Sequence, residues 1–109
     1  MDRDKTAING ILREVNRLEA QALKLGKDEF ISNITAQRDA LESFILIGEE
    51  AIELSDSLKS KFPNIPWSSI ERLSELPTTI TTELANDLWT RMSEDIPIFK
   101  ADLQAVILL

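Results

Sequence analysis

The 109-residue chain has no cysteine, histidine or tyrosine, which removes disulfides, thiolate metal sites, the commonest general base and a phenol nucleophile together. Hydrophobic residues at 43% and charged residues at 28% are the balance of a globular chain, and this length suits one domain spanning residues 1–109. Nineteen acidic residues against twelve Lys and Arg give a formal net charge of -7, which makes RNA or DNA an unfavourable partner because phosphate-backbone binding needs clustered cations. The charged start, Met1-Asp2-Arg3-Asp4-Lys5, lacks the apolar stretch of a signal peptide, and no run approaches the roughly 18 apolar residues of a membrane span. A cytoplasmic protein without membrane attachment is expected.

From about Asp4 to Leu25 the residues Ile8, Ile11, Leu12, Val15, Leu18, Ala22 and Leu25 recur at three- and four-residue steps, the spacing of one helix face. Asp4 suits the N-cap, and Gly26 can adopt the left-handed conformation that closes a helix. Asp28-Glu29-Phe30-Ile31 reads as a short helical turn leading to a longer helix from about Thr35 to Leu58. Its inward face is expected to carry Leu41, Phe44, Ile45, Gly48, Ala51 and Ile52. Phe44-Ile45-Leu46-Ile47-Gly48 is apolar nearly all round, which predicts a central helix covered on more than one side. Gly48 costs about 1 kcal/mol in a helix interior relative to Ala, and close approach of a neighbouring helix would explain its use.

Phe62-Pro63-Asn64-Ile65-Pro66-Trp67 reads as a turn, since each proline lacks an N–H and biases its predecessor towards extended geometry. Ile65 and Trp67 should anchor that turn to the core. Pro66 suits the first turn of a short helix through Ser68, Ser69, Ile70 and Leu73, which Pro77 must stop. Thr78 to Thr82 follow as a loop. A last helix from about Thr82 towards Val106 places Leu84, Leu88, Met92, Phe99 and Leu103 on one side. Pro97 should kink or restart it, with Asp95 as a candidate cap. The end, Val106-Ile107-Leu108-Leu109, is apolar where termini are ordinarily polar, and its spacing from Leu103 points to the protein's own core or a dimer.

No strand-like alternation persists, so the expected fold class is all-α: an antiparallel up-and-down bundle of four to five helices. Asp39, Glu42, Glu49, Glu53 and Asp56 lie along one helix, and a solvated face explains them better than a hard-cation site. No metal and no cofactor is therefore expected. Arg13, Arg17, Lys24, Lys59 and Lys61 are scattered, and Trp67 and Trp89 lack the flanking cations of a base-stacking platform.

The run Ile47-Gly48-Glu49-Glu50-Ala51 through Leu54, Leu58, Phe62-Pro63-Asn64-Ile65-Pro66-Trp67 and Ile70 closely resembles the HepT-like family of the HEPN superfamily, long catalogued as a domain of unknown function. The family form is a helix with Ile-Gly-Glu-Ala, spaced leucines, and an aromatic-Pro-X-Ile-Pro-Trp turn entering a short helix. The resemblance resumes at Leu88-Trp89 and Glu94-Asp95-Ile96-Pro97 with Lys100 and Leu103, and extends back to Asp2-Arg3-Asp4-Lys5, Phe30 and Arg38-Asp39-Ala40. It implies a HEPN-like, dimeric helical bundle and a ribonuclease toxin paired with a small MntA-type nucleotidyltransferase antitoxin.

The family's catalytic signature is an Arg, often followed by Asn, with a His four to six residues on and commonly a Tyr two beyond. Counted from Trp67, the Arg-Asn pair falls on Ser74-Glu75, the His near Thr78 or Thr79, and the Tyr, which partner enzymes in some modules modify with AMP, near Ile80 or Thr81. Neither catalytic position carries over, because threonine has no titratable group near neutral pH. Arg72 lies two positions out of register, about 200° round a helix. Glu49 matches the family's acidic position beside the groove and reads either as a buried carboxylate or as a surface residue.

The chain is thus expected to be a catalytically inactive HepT-like dimeric binding module, with no catalytic residue in the degenerate segment Arg72, Ser74, Glu75, Thr78 and Thr79, and with Glu49 and Arg72 as groove candidates. An active ribonuclease on non-standard residues and a stand-alone dimeric scaffold are the alternatives.

Overall fold

The computed structural model describes residues 2–107, and every regular element among them is helical. The chain runs through α1 (Asp2–Ile31), α2 (Ile34–Ile52), α3 (Asp56–Lys61) and α4 (Trp67–Glu71), which continues as a 3-10 turn (Arg72–Glu75). Then come α5 (Thr82–Thr90), a π-helical turn (Arg91–Asp95) and α6 (Ile96–Ile107). No helix among the described residues is long and apolar enough to cross a membrane.

Hydrogen bonds fix the helix directions. Asp4 meets Ser55, Glu14 meets Ser43 and Gln21 meets Ala36, so α2 descends alongside α1 as α1 ascends. Lys100 meets Glu19 and the Phe30 and Trp89 rings pack 5.7 Å apart, so α5 and α6 also run antiparallel to α1. The expected antiparallel bundle is therefore present, with α1 between two antiparallel neighbours. Ile11, Val15 and Leu18 of α1, Phe44 and Ile47 of α2, and Leu88, Met92 and Leu103 of the last rod are almost wholly buried in one shared core.

Several boundaries differ from the sequence expectation. Gly26 does take a positive φ, 75° with ψ 169°, but the chain re-enters a helix at once, and α1 is kinked there rather than ended. The break comes at Asn33, whose side chain accepts the Ala36 N–H at 3.0 Å, while the Gln37 amide donates to the carbonyls of Phe30 and Ile31 at 2.9 and 2.8 Å. Those bonds satisfy both helix ends at a tight corner.

The helix expected to reach Leu58 ends at Ile52. Ser55 starts a new one, its hydroxyl accepting the Leu58 N–H at 3.2 Å. Asp4 is not the cap of α1, which already contains it. Its carboxylate instead accepts the Ser55 N–H at 2.8 Å and the Ser55 hydroxyl at 2.6 Å, which locks the α2–α3 corner onto the first turn of α1. These bonds hold the Asp4 carboxyl below its ordinary value of 3.8, the side-chain bond from Ser55 contributing most.

α2 is covered by α1 and by α4 with its 3-10 turn, but not all round: Ile45 and Leu46 are half-buried and Ile52, placed on the inward face by its spacing, is 53% exposed. Ile65 and Trp67 are buried as the Pro-Trp turn requires, and the Trp67 indole donates to the Phe62 carbonyl at 3.1 Å. Asp95 caps nothing, because Ile96 keeps helical angles of -62° and -43°. Pro97 cannot donate to the carbonyl four residues back, and the π-helical turn just before it absorbs that missing bond. Val106 is buried and Ile107 is 44% exposed, while Leu108 and Leu109 lie outside the described residues.

Candidate functional site

The segment that the family resemblance sets against the catalytic signature is built around Gly48. A β-carbon there would stand 2.9 Å from the Leu73 carbonyl carbon, 3.0 Å from Ser74 Cα and closer still to the Ser74 nitrogen. Only glycine lets the 3-10 turn seat its backbone directly on α2, so the close approach inferred from the sequence is real and its partner is a turn rather than a long helix. Leu73 is buried beside this contact, and the Ser74 hydroxyl donates to the Glu71 carbonyl at 2.8 Å.

That hydroxyl is consequently committed to closing a helix end, and Ser74 is half-buried. Arg72, Glu75, Thr78 and Thr79 are all exposed, the two threonines in the loop before α5. Arg72 stands in no ion pair among the described residues. Glu71, between the Pro-Trp helix and this turn, is taken by Lys59 at 2.5 Å. The turn therefore presents hydroxyl, carboxylate and guanidinium groups to water, and no imidazole, since the chain has no histidine.

Glu49 is exposed on α2, so of its two readings the surface one holds: its direction from the helix axis is that of the open face, where it borders a shallow groove with Arg38, Leu41, Glu42, Ile45 and Leu46. No group of three or more carboxylates is arranged to hold a metal among the described residues.

A different carboxylate is buried. Glu14 is 5% exposed and lies between α1 and α2, accepting the Ser43 hydroxyl at 2.9 Å with Arg17 at 3.6 Å and Arg13 at 3.9 Å. The sequence signal was available, since Glu14 sits three residues after Ile11 and four before Leu18, inside the apolar stripe. A buried carboxylate is tolerated when it is paired and hydrogen-bonded, and here one hydroxyl and two guanidinium groups supply this.

Arg13, Arg17, Lys59, Arg91 and Lys100 are already engaged by carboxylates of the same chain. Both tryptophans are packed: Trp67 is buried, and Trp89 tilts at 41° against Phe30.

Next to the signature segment, Ile70 and Leu73 form one wall of an apolar cleft of about 190 Å³ whose other walls come from Phe44 and from Ile96 and Phe99 of α6.

No family model matches the chain, and no solved structure matches it with significance. Among curated proteins, the one named "Putative RNase MJ1380" from Methanocaldococcus jannaschii is similar: it is 26% identical over 105 residues, covering 94% of each chain.

Proposed function

We propose that this chain is a HepT-like protein of ribonuclease descent that no longer cleaves RNA and serves as a cytoplasmic, dimeric, single-domain binding module, in or derived from a HepT/MntA-type toxin–antitoxin system. One observation carries the reading. The segment in register with the catalytic signature holds a half-buried Ser74 and exposed Thr78 and Thr79, and no histidine exists anywhere in the chain. Cleavage assisted by a 2′-hydroxyl needs a base for its proton and a cation at the phosphorane, and general acid–base help alone supplies about 10²–10⁴-fold. Near-full-length similarity to a protein named as an RNase supports the ancestry.

The dimer is supported by the open face of α2. Arg38, Glu42, Ile45, Leu46 and Glu49 line it, and antiparallel pairing with a second copy about the middle of this stretch would set Arg38 opposite the second copy's Glu49. An isologous interface uses one patch twice, which such self-complementary charge allows. The MntA-type nucleotidyltransferase is the partner that the family resemblance implies.

The ribonuclease name of the relative favours one rival, an active nuclease using non-standard residues. Incubating the purified protein with single-stranded RNA and with transfer RNA separates the two. The expected result is no cleavage above buffer, unchanged in Glu49→Gln and Arg72→Ala. Turnover that either substitution abolishes would establish another active site and refute the loss of catalysis. Light scattering at micromolar concentration tests the dimer, and a monomer mass there removes it.

A further inference from the structure

We infer that the cleft between α4 with its 3-10 turn and α6 docks an apolar anchor of a basic amphipathic segment from another protein. Its floor is Phe44, Ile70, Leu73, Ile96 and Phe99, and Ile98 stands at its rim 65% exposed. At about 190 Å³ the cleft is smaller than the roughly 300–1,000 Å³ of sites that enclose free small ligands. It is the size for one or two large apolar side chains carried on a segment.

Charge selects the segment. Asp95 and Asp102 line the cleft and neither pairs with a cation among the described residues. Arg91, the cation in the lining, is already held by Asp87 at 2.9 Å. The rim is therefore net acidic, on a chain whose formal charge is -7. Asp95 and Asp102 are seven residues apart, about two helical turns or roughly 10 Å along the axis, the spacing at which Lys or Arg recurs on one face of a docking helix. An apolar groove with charged flanks is the usual receptor for such a helix, the apolar residues anchoring it and the charges choosing it.

A second copy is the wrong occupant. Isologous contact through this cleft would bring two acidic rims together with both Arg91 side chains already engaged, which opposes association. Docking here is also separate from the open face of α2.

The test uses the full chain with a fluorescein-labelled amphipathic peptide that carries Leu at helical spacing flanked by Lys, and a counterpart with each Lys replaced by Glu. Fluorescence anisotropy is expected to give micromolar binding of the Lys peptide and binding of the Glu peptide at least about tenfold weaker. Asp95→Asn with Asp102→Asn should weaken the Lys peptide by about fivefold to tenfold, and Ile98→Glu should abolish binding. Glu53→Gln with Glu83→Gln, an equal change of charge at exposed sites outside the cleft, should leave it unchanged. Asp95 and Ile98 are exposed, and circular dichroism checks that each variant is folded. No binding of the Lys peptide, equal affinity for both peptides, or equal effects of the two charge pairs would overturn the proposal. So would conversion of a dimer to a monomer by Ile98→Glu, which would assign the cleft to a second copy.

Discussion

Replacing Gly48 with alanine sets two large effects of opposite sign against each other. In an ordinary helix interior Gly→Ala stabilises by about 0.5–1 kcal/mol, through lower backbone entropy in the unfolded chain. Here the new methyl would meet the carbonyl carbon of Leu73 at 2.9 Å and Ser74 Cα at 3.0 Å, with the Ser74 nitrogen closer still. The obstacle is backbone, so no side chain can swing away; the 3-10 turn would have to lift, and the buried Leu73 and Ile70 with it. Overpacking of this kind costs about 1–3 kcal/mol, and backbone contacts belong at the upper end. The net expectation is a loss of about 1–2 kcal/mol, which for a domain of this size lowers Tm by roughly 4–12 °C. Thermal and urea unfolding followed by circular dichroism at the helix band measure it, with an unchanged denaturant slope showing that only stability moved. A rise in Tm would mean that the turn does not rest on α2 and would refute the account of the signature segment.

Ser55→Ala removes both the cap of α3 and a donor to Asp4 and should cost about 1 kcal/mol by urea unfolding. Asp4→Asn should destabilise at neutral pH; because the Asp4 carboxyl is lowered in the folded state, its contribution is present above the ordinary value of 3.8 and lost as pH falls below it. Parent and Asp4→Asn stabilities should therefore converge in that acidic window, and a gap that stays constant with pH contradicts the Asp4–Ser55 contact. Ser43→Ala takes the hydroxyl from the buried Glu14 carboxylate and should cost about 1–3 kcal/mol; a neutral result would mean that Glu14 is solvated. Deleting residues 106–109 should lower Tm by removing Val106 from the core, where it is 6% exposed, a loss of about 1.5–3 kcal/mol.

Much of the bundle is local physics and is legible in residue order. Ile11, Val15 and Leu18 fall on one helix face whatever surrounds them, and all three are buried. Pro63 and Pro66 force a turn wherever they are placed, and Ile65 and Trp67 beside them had nowhere to go but the core. Gly48 announced a close approach because a helix-interior glycine needs a reason. A chain with no histidine, cysteine or tyrosine lacks those side chains in every fold.

Tertiary structure decided what depends on residues far apart in sequence. Leu54 and Leu58 continue a helical pattern, yet α2 stops at Ile52, because Ser55 finds Asp4, 51 positions earlier, and its own cap bond to Leu58. Asp4 looked like a cap only while that partner was out of view. Packing separated two carboxylates that helical pattern alone does not tell apart: Glu14 is enclosed where Ser43 and two arginines meet it, and Glu49 is exposed because its side of α2 has no neighbour within this chain. Periodicity states which face of a helix is apolar, but burial needs a second surface, and only the packed chain supplies it.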